Sequence, residues 1–197
     1  MTAVDRKPRA KEQQTHGLAA NIRRLRHARD LTLDELASRS GVSRAMISKI
    51  ERNVAVPTAT VLGKLALGLE VGLSRLIGEQ SERRPTMLSP EAQAVYHDPE
   101  TGFIRTSLSP SFPDRRVEFA FNVLPPRQSA VFPPHPPGVE EYLFVSKGSL
   151  VVMACEERFD VRQGCSLFYR GDTQHEFRNE TDHPAEFYIV VDGNGAA

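Results

Sequence analysis

The chain has 197 residues, and its 25 lysines and arginines balance its 25 aspartates and glutamates, so the formal net charge at pH 7 is zero. Residues 1–84 hold 16 of those basic residues and nine of the acidic ones, a net charge of +7, which leaves −7 for residues 85–197. This asymmetry indicates two domains and favours a polyanionic partner for the first domain only.

Other features of the sequence lead us to expect neither a membrane-spanning nor a secreted protein. No apolar run is long enough to cross a bilayer, and the basic N-terminus lacks the apolar core of a signal peptide. The two cysteines, Cys155 and Cys165, do not have the CxxC spacing of a metal-binding pair. We therefore expect a reduced, cytoplasmic protein with no membrane partner.

The apolar spacing is helical from residue 15 to residue 78, after a basic segment, residues 1–14, that we expect to be a disordered arm. Thr32 and Ser43 are good helix N-caps, and glycines interrupt the pattern repeatedly. Four or five short helices around one small core account for these positions. The first domain is therefore predicted to be an all-α bundle.

Within this bundle, residues 41–53 are typical of a glycine turn followed by a short helix with two different faces. A glycine can take the left-handed conformation that ends the preceding helix, and Ser43 can cap the next one. Met46, Ile47 and Ile50 recur at helical spacing and are expected to face the core. The opposite face carries basic and small residues, namely Arg44, Ala45, Ser48, Lys49 and Arg52. Such a helix suits a major groove, where Arg and Lys reach guanine acceptors.

Several spaced motifs in residues 15–78 resemble the phage-repressor-like (XRE-type) helix-turn-helix domain. They are LTLDELA from Leu31, GVS from Gly41, ISKIER from Ile47 and PT from Pro57. The resemblance implies sequence-specific binding to a double-stranded DNA operator, with the third helix as the base-reading element.

The resemblance also implies two sets of DNA-contacting residues. The base-reading positions are Arg44, Ala45 and Lys49. The positions near bases or phosphates are Ser43, Ser48 and Arg52. Leu33 stands where the family often has a phosphate-contacting glutamine, so we expect Thr32 or backbone N–H groups at that helix start to make this contact.

The pattern changes after residue 78. Residues 79–99 begin with a polar stretch and are predicted to be a linker. From residue 100 to residue 192, short segments alternate between apolar and polar residues and are separated by glycine and proline turns. Many short strands of this kind predict an antiparallel sandwich or barrel.

Two motifs in this second part resemble those of cupins. His135, Glu141 and Gly148 match the first motif, and residues 164–179, which include His175, match the second. The resemblance implies an all-β cupin, which is a double-stranded β-helix or jelly roll. An XRE-type domain followed by one cupin is an architecture of bacterial transcription regulators, and this multidomain chain resembles them.

The cupin resemblance also implies ligands for a metal. His135, Glu141 and His175 match three of the four ligand positions of metal-binding cupins, and Pro137 occupies the fourth. Two imidazoles and one carboxylate can hold a divalent ion such as zinc, iron or nickel, either in a tetrahedral site completed by water or as a facial triad. The alternative is that the two histidines are polar residues lining a pocket without a metal.

Three further residues are placed in the barrel interior by strand parity. Leu143, Val145 and Phe177 are expected to shape a partly apolar ligand pocket. The sequence thus predicts a non-enzymatic transcription regulator whose cupin senses a small-molecule effector and tunes operator binding by a homodimer. Two alternatives stay open: a metal-dependent cupin enzyme with an attached DNA-binding head, and a repressor without an effector.

Overall fold

The computed structural model of the protein describes residues 9–78, 85–112 and 117–193, with side chains from Gly17 onward. Its N-terminal part is helical. The helices are α1 (Arg9–His27), α2 (Leu33–Ser40), α3 (Arg44–Glu51), α4 (Ala59–Gly68) and α5 (Leu73–Ile77). No helix in the described ranges has the length and apolar character needed to cross a bilayer.

Helix α1 begins earlier than its apolar spacing predicts. It starts at Arg9, so the expectation of a disordered arm over residues 1–14 is wrong for residues 9–14. Residues 1–8 lie outside the described part of the chain. The physical reason is composition, because the sequence RAKEQQ consists of good helix formers even though it offers few apolar residues to mark a buried face.

The short helices of this domain are fixed by capping residues. The Thr32 hydroxyl accepts a hydrogen bond from the Glu35 backbone N–H, and the Glu35 carboxylate accepts one from the Thr32 N–H, which completes a capping box. Ser43 and Thr58 cap α3 and α4 through their hydroxyls in the same way. Gly41 ends α2 at a φ of 65°, a left-handed conformation that suits glycine.

The C-terminal part is built from antiparallel strands. They are β1 (Val95–His97), β2 (Ile104–Ser107), β3 (Val117–Leu124), β4 (Ser129–Phe132), β5 (Glu140–Lys147), β6 (Ser149–Ala154), β7 (Glu157–Arg162), β8 (Ser166–Arg170), β9 (His175–Arg178) and β10 (Ala185–Asp192). Within the described residues, one sheet has the order β1-β2-β3-β10-β5-β8 and the other has the order β4-β9-β6-β7. Two antiparallel sheets enclosing one core agree with the predicted jelly roll.

The first strand of the larger sheet lies in the segment predicted to be a linker, residues 79–99. Strand β1 pairs with β2, with Val95 opposite Thr106 and His97 opposite Ile104. A three-residue strand is too short for its alternation to be recognised in the sequence.

The helical and cupin parts share a continuous buried core. Leu36, Ile47 and Leu65 from the helices belong to the same cluster of buried side chains as Phe103 and Phe187 from the cupin. This continuity means that the two domains are packed against each other.

One residue of α3 was expected in the core and is not there. Met46 is 38% exposed, whereas Ile47 and Ile50 are buried. A short helix buries one narrow stripe, and Met46 lies beside that stripe on the side that faces solvent.

Hydrogen bonds also cross between the two domains. The Tyr96 hydroxyl donates to the Pro57 carbonyl oxygen at 2.8 Å, and the Thr60 hydroxyl donates to the Val131 carbonyl oxygen at 3.0 Å. The Asp98 carboxylate accepts a hydrogen bond from the Ala59 backbone N–H at the start of α4. Helix α4 packs against both α2 and strand β4, so these contacts attach the helical domain to the cupin.

Candidate functional site

The outer face of α3 presents the side chains that a DNA major groove would meet. Ile47 and Ile50 anchor the helix in the core, which turns the opposite face to solvent. Ser48 is half-buried. The exposed members of the predicted set are Thr32, Ser43, Arg44, Ala45, Lys49 and Arg52. The structure therefore brings all the sequence-predicted contact residues of α3 to one surface.

Helix α3 is held in place by a buried ion pair that the sequence interpretation missed. The Arg26 guanidinium of α1 donates to both oxygens of the Glu51 carboxylate, with Nε–Oε1 at 2.7 Å and Nη2–Oε2 at 2.8 Å. Arg26 also donates to the Leu31 carbonyl oxygen at 2.8 Å. The hydrogen bond to Glu51 raises the pKa of Arg26. This two-point contact sets the orientation of α3 relative to α1.

Two of the predicted contact residues, Arg44 and Thr32, contact carboxylates of α2. Arg44 Nε lies 3.2 Å from Asp34 Oδ1 in an exposed ion pair that costs little to break. The Thr32 hydroxyl donates to Glu35 Oε2 at 2.7 Å within the capping box. A phosphate that approaches the start of α2 has to displace the Glu35 carboxylate, so Thr32 is a poorer phosphate contact than the sequence alone indicates.

The cupin motif residues converge in the barrel. Glu141 on β5 is 1% exposed, His175 begins β9, and His135 lies in the loop between β4 and β5. His135 Nε2 lies 2.8 Å and His175 Nε2 lies 3.5 Å from Glu141 Oε1. One ligand atom from each of the three residues falls within 4.8 Å of the others.

The electrostatics of this cluster favour an ionised Glu141. Burial by itself would raise its pKa, but His175, His135 and a hydrogen bond from Tyr169 lower that pKa to about 2. Burial would lower the pKa of His135, but its hydrogen bond to Glu141 and the charge of that carboxylate raise it overall. Burial raises the pKa of the Tyr169 phenol well above its usual range, so Tyr169 donates to Glu141 as a neutral hydroxyl.

The cluster fits a divalent metal. His175 Nδ1 lies 3.1 Å from the Thr173 carbonyl oxygen, which can only accept, so Nδ1 carries the proton and Nε2 presents its lone pair to the cluster. Tyr169 orients the carboxylate of Glu141 in the same manner. Two nitrogen ligands and one oxygen ligand suit zinc, iron or nickel. Pro137 is exposed and supplies no donor atom.

A cavity of about 740 Å³ extends from this cluster to the helical domain. The cupin contributes the three motif residues together with Arg105, Glu118 and Phe177. The helical domain contributes residues of α4, of α5 and of the turn between them. The volume lies within the range typical of sites for small organic ligands.

Comparisons with known proteins agree with both halves of this description. A helix-turn-helix family model (HTH_3) matches residues 22–76, and a cupin domain model (Cupin_2) matches residues 121–191. The chain joins an XRE-type helix-turn-helix domain to a cupin domain. It is a DNA-binding transcription regulator.

Two transcription regulators are similar to this chain over most of its length. The regulator is 29% identical to the HTH-type transcriptional regulator SutR of Escherichia coli (strain K12) over 174 residues, which are 88% of this chain and 93% of SutR. It is also 29% identical to an HTH_3 family transcriptional regulator from Vibrio cholerae, which has a crystal structure. The match covers 91% of this chain and 97% of that chain, at a TM-score of 0.76. Hydroxypropylphosphonic acid epoxidase from S. wedmorenis is more distant, at 16% identity and a TM-score of 0.46 over 90% of this chain and 97% of its own.

The three predicted pocket residues have different positions in the regulator. Phe177 lines the cavity. Leu143 and Val145 are buried at 1% and 0% exposure and are not among the lining residues, so their assignment to the pocket is corrected to the core. All three face inward, but Glu141 is the residue of β5 that lines the cavity, and Leu143 and Val145 are covered by packing.

Arg105 and Glu118 are cavity residues that the sequence interpretation missed. Their side chains are 5% and 11% exposed, and Arg105 Nη2 lies 3.0 Å from Glu118 Oε2. A signal for Glu118 was present, because the alternation of β3 places this charged residue on the same inward face as Ala120. A charged side chain on an inward face needs a partner of opposite charge, and such a pair inside a barrel indicates a polar site.

Gly171 is a further residue that the motifs did not single out. Its carbonyl oxygen accepts from the His135 N–H at 2.8 Å, and its N–H donates to the Val139 carbonyl oxygen at 2.9 Å. A Cβ atom at this position would lie 3.1 Å from His135 Cδ2 and 3.3 Å from Glu141 Oε1. Glycine at position 171 thus leaves the space in which the cluster assembles.

Proposed function

We propose that the regulator binds a specific duplex operator as a homodimer in the cytoplasm, and that a small molecule in the cupin cavity changes this binding. The observation that carries the proposal is that both domains form the wall of one cavity. Gly72 and Ser74 from the helical domain line it together with Glu118 and His135 from the cupin. A ligand in this space would contact the cupin and the helical domain at the same time.

Glu118 supplies the contact through which a bound molecule would act. Its Oε1 accepts a hydrogen bond from the Ser74 backbone N–H of α5 at 3.0 Å, and its Oε2 pairs with Arg105 in the cavity. Helix α5 in turn holds α1, because the Asn21 amide donates to the carbonyl oxygens of Arg75 and Leu76 at 2.7 and 2.8 Å. A change at Arg105 therefore has a short path to the helical bundle.

The thermodynamic requirement on the effector is differential binding. A ligand shifts DNA affinity only if it binds one arrangement of the two domains more tightly than the other. The wall formed by α4 and α5 meets this requirement, since any movement of the helices against the cupin alters the cavity that the ligand occupies.

Helix α3 is the reading element of the proposal. Arg44 and Lys49 are long, exposed and on the face opposite the buried Ile47 and Ile50, which suits hydrogen bonds to guanine in a major groove. One helix of this length contacts few base pairs. A dimer that places two such helices in successive major grooves, about 34 Å apart, reads a site long enough to be specific.

The outer face of the larger sheet supports the proposed homodimer. It exposes a contiguous aromatic surface across four neighbouring strands, which we call the aromatic face: Phe119, Phe121, Tyr142, Phe144, Phe168 and Tyr188. Tyr142 and Phe168 contact each other with ring centroids 5.1 Å apart, and Phe168 is 52% exposed. Exposed apolar patches of this kind mark interaction surfaces, and the same patch on two copies pairs around a two-fold axis.

A metal-dependent cupin enzyme with a DNA-binding head is the second candidate. The observation that favours it is the arrangement of His135, Glu141 and His175, which leaves coordination positions open on a bound ion. We place it second because a sensor also needs a polar cluster in its cavity. Oxygen uptake by the iron-loaded protein with a candidate substrate would favour the enzyme over the sensor.

The experiment that tests the proposed function is selection of DNA by the purified full-length regulator from a pool of random duplexes. We expect enrichment of a two-fold symmetric motif whose half-sites lie about one helical turn apart. Retention of unrelated sequences with equal efficiency would contradict an operator-binding function.

A further inference from the structure

Three buried polar atoms lack hydrogen-bond partners among the side chains that the structure describes: Arg105 Nε, Asn122 Nδ2 and Asn122 Oδ1. Arg105 is 4% exposed and Asn122 is 1% exposed. A buried polar group without a partner destabilises a folded protein, so such groups call for an explanation.

All three atoms belong to one cross-strand pair. Arg105 on β2 lies directly opposite Asn122 on β3, and both residues are buried on the inward side of the sheet. Directly opposite side chains of an antiparallel pair are near enough to bind the same small group. Arg105 lines the cavity and Asn122 does not, so the pair adjoins the space in front of the His135 cluster through Arg105.

The unmet atoms define the chemistry of a complementary ligand. Arg105 Nε and Asn122 Nδ2 are donors, and Asn122 Oδ1 is an acceptor. A carboxylate takes hydrogen bonds from the two donors, and a hydroxyl or amino group on the adjacent carbon donates to the acceptor. Phe132 and Phe177 add apolar surface to the same cavity for the rest of the molecule.

We propose that Arg105 and Asn122 form the binding site for a small 2-hydroxy or 2-amino carboxylic acid with an apolar side chain. This assignment rests on the proposed function in one respect, because it makes the acid the effector of the regulator. The carboxylate competes with Glu118 for the Arg105 guanidinium. Binding therefore weakens the hydrogen bond from the Ser74 N–H to the Glu118 carboxylate, and this change affects α5.

The ligand class is tested by calorimetric titration of the full-length regulator with three probes of the same size. These are 3-phenyllactate, phenylalanine and 3-phenylpropanoate, of which the last lacks the 2-substituent. We expect saturable binding of at least one of the first two, about tenfold tighter than that of 3-phenylpropanoate, because 3-phenylpropanoate leaves Asn122 Oδ1 unpaired. Absence of saturable binding for both substituted acids, or equal affinity for all three, would overturn the assignment.

Asn122→Asp tests the site itself. The substitution keeps the shape of the side chain and places a negative charge where the carboxylate of the ligand would bind, so we expect at least a tenfold loss of affinity for the probe that binds. If Asn122 binds only internal water, probe affinity in Asn122→Asp will equal that of the wild type and the assignment fails.

A matched substitution separates this effect from damage to the fold. Asn179 is equally buried, but its amide nitrogen donates to the carbonyl oxygens of Leu124, Pro125 and His183. Asn179→Leu should lower the melting temperature, whereas Asn122→Leu removes an amide without partners and should leave it unchanged or raise it. A fall in both variants would contradict an unpaired Asn122.

The two proposals fail separately in this design. Probe titrations contain no DNA, and the DNA selection contains no probe. If an operator is enriched but no probe binds, the acid-binding site alone is contradicted. If a probe binds but no operator is enriched, the regulatory role alone is contradicted.

Discussion

Glu118 Oε1 lies 3.0 Å from the Ser74 backbone nitrogen and joins the cupin strand β3 to helix α5 of the DNA-binding domain. The other oxygen of the same carboxylate pairs with Arg105 in the cavity. Glu118 thus contacts both an arginine of the cavity and the DNA-binding domain.

Gly72→Ala should break this connection without any change of charge. A Cβ atom at position 72 would overlap Glu118 Oε1, and the φ of −72° means that alanine causes no backbone strain of its own. We expect the Ser74 amide to lose about tenfold in hydrogen-exchange protection, since a hydrogen bond to a charged acceptor is removed. Gly17→Ala is the matched control, because nothing lies within 4 Å of a Cβ atom at that position. Unchanged protection of Ser74 in Gly72→Ala would show that Glu118 does not hold α5.

Glu51→Ala should destabilise the DNA-binding domain. It leaves the Arg26 guanidinium, whose side chain is 9% exposed, without its carboxylate partner. We expect the free energy of unfolding to fall by about 2 kcal/mol in urea denaturation. Glu70→Ala removes the carboxylate of an exposed pair with Arg39 at 3.8 Å and should change stability by less than about 0.5 kcal/mol. Equal effects of the two substitutions would refute a structural role for the Arg26–Glu51 pair.

Phe168→Glu should dissociate the homodimer. The substitution places a charge on the edge strand of the aromatic face, beside Tyr142, where pairing with a second copy would bury it. We expect sedimentation to show a dimer for the wild type and a monomer for the variant at the same concentration. Met87→Glu changes a residue that is 91% exposed and lies outside the aromatic face, and it should remain dimeric. A dimer that survives Phe168→Glu would place the interface elsewhere.

The His135 cluster should bind one divalent ion per chain. Equilibrium dialysis against zinc should give about one ion per wild-type chain, and His175→Ala should weaken binding by at least tenfold because one of three protein ligands is lost. His183→Ala removes an exposed histidine outside the cluster and serves as the control. Equal zinc affinity in the wild type and in His175→Ala would exclude the cluster as the metal site.

The sequence alone was enough to predict α3, because two isoleucines at helical spacing and a serine cap are a local pattern. The grouping of His135, Glu141 and His175 was implied by the resemblance to cupin motifs, because these residues are far apart in the sequence. Met46 differed from its prediction because periodicity gives the direction of a buried face but not its width. Helix α1 begins at Arg9 because residues with high helix propensity form a helix even where no apolar face marks that helix in the sequence.

The residues that join the two domains could not be predicted in this way, since their contacts are long-range. Ser74 and Glu118 are 44 positions apart and belong to different domains, so no local periodicity relates them. The pairing of Arg105 with Asn122 depends on the register between β2 and β3, which β-strand patterns alone leave undetermined. The inward position of Glu118 on β3 was the one local sign of this polar site.

The most direct test of the central claim is the affinity of the regulator for its selected operator, measured alongside a shuffled duplex of the same length. The wild type should prefer the operator by at least about a thousandfold, and Arg44→Ala with Lys49→Ala should abolish that preference while the dimer persists. The substituted protein should retain weak, salt-sensitive binding to both duplexes, because other basic residues still contact phosphate. An undiminished preference for the operator in this double variant would contradict the claim that α3 reads DNA.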